Sequence, residues 1–283
     1  MRNIWKGIVG AAMFCMALGS AHAEEKTITV GTLGWDDMTS ITGVTKTVLE
    51  NAGYKVKVVA FSDWGIAFAA LAHGDVQIMT ALPDYTTHDY WQKNMSKLEK
   101  LSAVSYGLYQ AIVVPKYVPI DSVEQLNGIA DKVDNKIIGI EAGSGIMREA
   151  QAAVKEYGLK LKLIEGSTAA MVAATKAAVD RKEWIAVTLW EPSWMMTKFD
   201  MKFLNDPKGV FPPKEAYYWI AQKGFSVDHP NARELIAGVF LPLQEMSAIH
   251  ARVSDGLTME QAVKEWTDKH PDLLKRWENL KTE

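Results

Sequence analysis

The sequence predicts an α/β protein of two lobes, each a mainly parallel sheet flanked by helices, with a cleft between them. Three observations predict it. β-type runs alternate with helical runs from residue 27 onward, the pattern of parallel sheets covered by helices. The strand–helix alternation occurs twice, over residues 27–81 and again over 136–189. The 283 residues suffice for two domains of ordinary size, and 48% apolar with 23% charged residues fits a globular chain.

In chain order, residues 27–32 read as a strand and 38–51 as a helix, with Val44, Val48 and Leu49 on one face and Gly53 as its stop. A Val-rich strand follows at 55–61, then an apolar helix at 64–72 ended by His73-Gly74, and a third strand at 76–81. A short helix is expected at 84–94, just after Pro83, and a strand at 109–115 leads into a polar segment reaching Gly128. The motif then restarts: strand 136–141, helix 146–157 after the turn Gly143-Ser144-Gly145, strand 160–164, an Ala-dense helix 168–181 and strand 183–189. Residues 217–223 read as a strand carrying the chain back, and helices at 231–239, 243–253, 259–268 and near 273–280 close it. The second lobe, 111–215, is thus inserted in the first, 24–110 with 216–283. Two crossings between lobes make a hinge, and such clefts bind small ligands.

The N-terminus reads as an export leader. Arg2 and Lys6 precede an apolar stretch from Gly7 to Gly19, too short to span a bilayer, and Ala21-His22-Ala23 is a small-x-small cleavage pattern. The mature chain is expected to start at Glu24, in the periplasm. Cys15 lies inside the leader without a lipoprotein-like box before it, so the mature chain carries no thiol or disulfide chemistry. Loss of Arg2 and Lys6 leaves it more acidic than the full chain's net −3. No basic run with interleaved aromatics points to nucleic acid.

The stretch Leu189-Trp190-Glu191-Pro192-Ser193-Trp194 organises the rest. Trp190 is expected where a strand runs out into a loop, and Pro192 in the first turn of a short helix. Ligands of open α/β sheets lie beyond the carboxyl ends of strands. Gly34-Trp35-Asp36-Asp37 ends the first strand in the same way. Trp residues at two strand ends, from different lobes and with an acid beside one, suggest a cage for a cation. A quaternary ammonium has no hydrogen to donate and is held by π-faces, each worth roughly 0.5–2 kcal/mol. Asp37 can meet a ligand hydroxyl or the positive charge, or can serve only the dipole of its helix. The amides of Met38 and Thr39 can receive a ligand carboxylate. Weaker candidates for the cage are Tyr85, Trp64, Tyr106 and Tyr109. Trp91 is expected to pack, Trp194 to buttress Trp190, and Trp219, Trp266 and Trp277 to lie in the core.

An enzyme reading finds little support. Ser144 lies between directly flanking glycines, unlike the Gly-x-Ser-x-Gly elbow of hydrolases; Gly143 and Gly145 instead suit a tight turn whose amides face a ligand oxygen. His73 and His88 lack partners at metal-ligand spacing, and there is no phosphate loop or dinucleotide fingerprint. No catalytic set, metal or cofactor is expected. A receptor for another small polar solute such as an amino acid, and an exported hydrolase, are the competing readings.

Several stretches together resemble the glycine betaine/choline-type substrate-binding proteins of ABC importers. They are Gly34-Trp35-Asp36-Asp37-Met38-Thr39, Leu82-Pro83 with His88-Asp89-Tyr90-Trp91, Ile138 through Met147, Trp190 through Met195, and Leu204-Asn205-Asp206-Pro207. The resemblance implies a two-lobed type II periplasmic binding protein with an aromatic cage, monomeric and without catalytic activity. It would deliver a quaternary ammonium ligand to a membrane permease driven by an ATPase. Trp35 and Trp190 match cage positions, and Asp37 is similar to the acid of choline-binding members. Met38 and Thr39 fall where betaine binders offer amides. Two positions depart: many relatives carry Trp just before Leu82-Pro83, leaving one wall missing or supplied by Tyr85, and many betaine binders carry His at Ser193.

Overall fold

The computed structural model describes residues 26–280; the expected leader lies outside them. The chain opens as β1 (Thr27–Leu33), α1 (Asp36–Asn51), β2 (Lys55–Phe61), α2 (Trp64–His73), β3 (Ile78–Ala81) and α3 (His88–Asn94). The long β4 (Leu98–Pro115) follows, then β5 (Lys136–Ile138), α4 (Gly145–Glu156), β6 (Lys162–Ile164), α5 (Thr168–Asp180), β7 (Val187–Glu191), α6 (Trp194–Lys198) and β8 (Met201–Phe203). β9 (Glu215–Gln222) leads into α7 (Phe225–Asp228), α8 (Pro230–Gly238), α9 (Leu243–Ser254), α10 (Met259–Lys269) and α11 (Pro271–Glu278).

Local chemistry explains the ends of these elements. Asp63 precedes α2 and its carboxylate accepts the Ile66 amide at 3.0 Å, while Gly74 closes the helix at φ 89°, a left-handed cap that costs glycine little. Helix α1 buries Ile41, Val44, Val48 and Leu49 and packs on α9 and α10. Ser122 and Gln125 form a reciprocal capping box that starts a 3₁₀ run, Val123–Val133, which overlaps the polar segment reaching Gly128.

Strand order is β2-β1-β3-β9-β4-β7-β5-β6, with β8 on β4. Pairing is parallel among β2-β1-β3 and among β7-β5-β6, and antiparallel where β9 and β4 enter. β4 belongs to both halves. Its residues Leu98 to Leu108 pair with β9, and Tyr109 to Pro115 pair with β7 and β8. Gly107, at φ 95°, sits where the partner changes, a backbone state that a side chain would oppose. One apolar cluster runs from Ile28 and Trp64 across to Ile146 and Trp190; a second, from Ala111 to Phe211, lies wholly within the other half.

Several expected boundaries move. β4 starts at Leu98 rather than 109, because three register breaks interrupt the alternation that would mark it. The short helix begins at His88, not 84: Glu215 takes the amides of Tyr85 and Thr86 and holds that stretch as turns. β7 runs from Val187 to Glu191, so Trp190 lies inside a strand and not beyond it. Pro192 precedes the helix instead of opening it, since Ser193 is the cap of α6 and accepts the Met195 amide at 3.3 Å. Trp219, Trp266 and Trp277 are buried in the core as expected.

Candidate functional site

Where the two halves meet lies a small cavity of about 30 Å³. The end of β1 delivers Trp35, the residue before α1, and Asp37 in that helix's first turn. The start of α2 adds Trp64. Leu82 and Thr86 come from the turn after β3, and Leu108 and Gln110 from β4 just past Gly107. From the other half come Ile140, Ser144, Gly145 and Ile146, and β7 supplies Trp190; Tyr217 enters on β9. A larger groove on the outer face, between α1 and α10, is lined by Lys46, Glu50, Lys264 and Asp268 and has no aromatic wall. The smaller cavity is the one with chemistry to offer.

Its aromatic wall is braced in series. Trp35 meets Trp64 with ring centroids 5.5 Å apart and a 57° tilt; Trp64 meets Phe68 at 6.3 Å, and Phe68 stacks on Tyr90 at 5.5 Å. Such tilted pairs are favourable and leave outer faces free. Trp190 stands in the other half, 8% exposed, its main chain paired to Gln110. The indole N–H groups of Trp64 and Trp190 have no partner among the described residues.

Asp37 is the only lining residue that carries charge; the lining holds no Lys, Arg or His. Its carboxylate accepts the Met38 amide at 3.0 Å and the Tyr217 hydroxyl. Burial pushes its pKa up to about 6, against the pull of those two hydrogen bonds. The Tyr217 hydroxyl, buried beside that carboxylate, is pushed well above its ordinary value, so Tyr217 remains the donor.

The glycine turn lets the halves touch. A Cβ at Gly143 would sit 3.0 Å from the Cβ of Asp63, and one at Gly145 would overlap the Thr86 methyl. Arg148 then reaches over to donate to the Thr86 carbonyl at 3.1 Å. From the cavity wall a polar chain runs between halves. Thr86 donates its hydroxyl to Glu215, and Gln110 donates to Thr86 at 2.9 Å and to Glu149 at 2.6 Å. Burial pushes Glu149 up to about 8, helped by Glu215 and opposed by Arg148 and Gln110. Burial also raises Glu141, but hydrogen bonds from Thr168, its own backbone and Trp35 outweigh this and hold it below its ordinary value.

Of the residues expected at a site, Trp35, Asp37, Trp64, Ser144 and Trp190 line this cavity. The others do not. Met38 is fully buried and its amide is taken by Asp37. The Thr39 amide donates to the Trp35 carbonyl at 2.9 Å and its hydroxyl is bonded to the same turn, so neither residue offers a carboxylate a free amide. Tyr85 is 49% exposed and outside the lining; Tyr106 is 60% exposed and packs on Phe240. Of the two alternatives for the departing wall, Tyr85 does not reach the lining, which holds Trp64, Leu82 and Leu108. Trp194 packs on Phe199 and bonds Asp36 across the cleft. Leu108, Gln110 and Tyr217 were missed. Tyr217 reaches the cavity because β9 runs antiparallel to β3 and so starts beside β3's ligand-facing end.

The family described as the substrate-binding domain of the ABC-type glycine betaine transport system (OpuAC) matches residues 26–269. This chain belongs to that family. A Listeria monocytogenes glycine betaine/carnitine transport binding protein is 38% identical over 162 residues, which is 56% of this chain and 53% of that protein; the chain thus matches about half the relative's length. The crystal structure of lactococcal OpuAC, closed and complexed with glycine betaine, is 28% identical with a TM-score of 0.84 over 89% of this chain and 99% of that one. The Borrelia burgdorferi glycine betaine/L-proline-binding protein ProX is 28% identical with a TM-score of 0.83, over 90% and 99%. The architecture is that of type II periplasmic binding proteins, two lobes about a cleft. Members of the family serve transport as substrate-binding components. Among the described residues no helix is long and apolar enough to cross a membrane.

Proposed function

We propose that the chain captures a quaternary ammonium compound between a lobe of residues 24–110 with 216–283 and an inserted lobe of residues 111–215. One observation carries this reading: an aromatic-walled cavity whose sole charge is the buried carboxyl of Asp37, with no basic side chain in its lining. Indole faces attract a methylated ammonium group, and the carboxylate neutralises it in a medium of low dielectric. A choline-like cation suits this balance best. A betaine would bring a second carboxylate with no lining cation to meet it. The relatives support the ligand class, since the lactococcal protein was solved with glycine betaine and the Listeria protein is named for glycine betaine and carnitine.

Trp35, Trp64 and Trp190 form the cage and Asp37 with Tyr217 its polar end. Ser144 shapes the wall: its hydroxyl donates to the Glu141 carbonyl at 2.8 Å and has no base beside it, so we assign no catalytic role. The protein works as a monomer in the periplasm after loss of residues 1–23, delivering ligand to a permease and its ATPase.

Calorimetry on the mature chain tests this with choline, glycine betaine, proline betaine, carnitine and trimethylamine oxide. Saturable binding of at least one, with choline strongest and with a change in Trp fluorescence, is the expected result. Binding of free amino acids but none of the five would overturn it.

A further inference from the structure

The segment just after Trp190 reaches out of its own half. α6 lies between β7 and β8, yet its side chains bond elements of the other half. The Trp194 indole N–H donates to the Asp36 carboxylate at 2.9 Å, and Lys198 Nζ donates to the Ser254 carbonyl at 2.8 Å, at the end of α9. Lys198 also lies 5.8 Å from the Trp194 ring centroid, whose other neighbour is Phe199 at 5.5 Å. These contacts hold the indole with its N–H directed across the cleft.

The bond's position in sequence matters more than its strength. Asp36 is the residue after Trp35, and Trp194 follows Trp190 by four residues, through the cis Glu191-Pro192 bond and the cap Ser193. It therefore joins the immediate chain neighbours of two cavity walls that come from opposite halves. Neither Asp36 nor Trp194 lines the cavity.

We propose that Asp36 and Trp194 are positioning residues, a latch that fixes the spacing of Trp35 and Trp190 in the closed state and sets how long ligand is held; this rests on the proposed function above. Both groups are partly buried, so the bond acts at the lower end of the range for a charge-assisted hydrogen bond, about tenfold in an equilibrium constant. A latch formed after encounter acts on escape rather than on entry.

The test uses Trp194→Phe, which keeps the ring and removes the N–H, with Asp36→Ala, Asp36→Asn and the double variant Trp194→Phe/Asp36→Ala. Stopped-flow Trp fluorescence reads the ligand rates. Spin labels on Glu50→Cys and Lys155→Cys, exposed in opposite halves of a mature chain without cysteine, read the closed fraction with and without choline. Expected are dissociation about tenfold faster in Trp194→Phe and Asp36→Ala with association little changed, a smaller effect for Asp36→Asn, a double variant no worse than either single one, and a closed fraction reduced in all. Rates and closed fraction equal to the parent overturn the latch, as do additive losses that track a lowered melting temperature. If the parent binds none of the ammonium compounds, the ligand reading fails alone. The inter-label distance of the ligand-free variants still decides the latch.

Discussion

The Tyr217 hydroxyl donates to the Asp37 carboxylate at the polar end of the cavity, joining the returning strand β9 to the first turn of α1. Both groups are buried, and no lining cation offsets the charge. The ligand must supply it.

That arrangement gives binding a proton linkage whose sign reports the ligand. Burial raises the Asp37 pKa to about 6, above its ordinary range. Its contribution to folding is therefore fully present in acid, below the unfolded value, and is lost as pH rises to about 6. A bound cation favours the ionised form, so choline binding releases a proton and weakens as pH falls below about 6, by up to about tenfold per unit. A ligand carboxylate at that end would reverse both signs. Calorimetry near pH 5.5 in buffers of different ionisation enthalpy measures the proton count, and Asp37→Asn abolishes it.

The cage residues differ in what their loss does. Trp190→Ala is expected to weaken binding by about tenfold or more, from the loss of one π-face. Trp64 is buried to 1% exposure and braces Trp35, so Trp64→Ala also costs about 3–5 kcal/mol of stability. Fluorescence titration with parallel thermal melts separates the two effects. A Trp190→Ala protein that binds like the parent removes that residue from the cage.

Contact of the halves depends on Gly145. Gly145→Ala would put a methyl into that of Thr86, so it is expected to weaken ligand binding and leave the ligand-saturated protein more extended in X-ray scattering. Thr86→Ser removes the obstructing methyl but keeps the hydroxyl for Glu215, and the double variant is expected to recover both properties.

Glu149 predicts a second pH effect, on stability. Its pKa of about 8 lies above the ordinary carboxylate value, so its stabilising share is full in acid and declines as pH rises from about 4.5 to about 8. Urea unfolding of the ligand-free protein at pH 5 and pH 9 should show that decline, and Glu149→Gln should flatten it.

Most of the fold was legible because its signals are local. Alternating Val-rich and amphipathic runs placed β1, α1, β2 and α2 within about two residues. The start of β4 was not legible, since its register breaks destroy the period that marks a strand. Trp35, Asp37 and Trp190 could be singled out from their places at strand ends beside acids. Gln110 and Tyr217 could not, because their position depends on which strand lies beside which, a property of the sheet order. Met38 and Thr39 misled for a physical reason: amides at a helix start are open to a ligand only when no nearby oxygen claims them, and here Asp37 and Trp35 do.

The uninterrupted course of β4 through both halves constrains how the molecule can breathe. One ribbon of backbone is stitched into two sheets and changes sides at Gly107, so it ties the halves together there. With the returning chain that enters β9 beside it, this strand forms a seam shared by both halves.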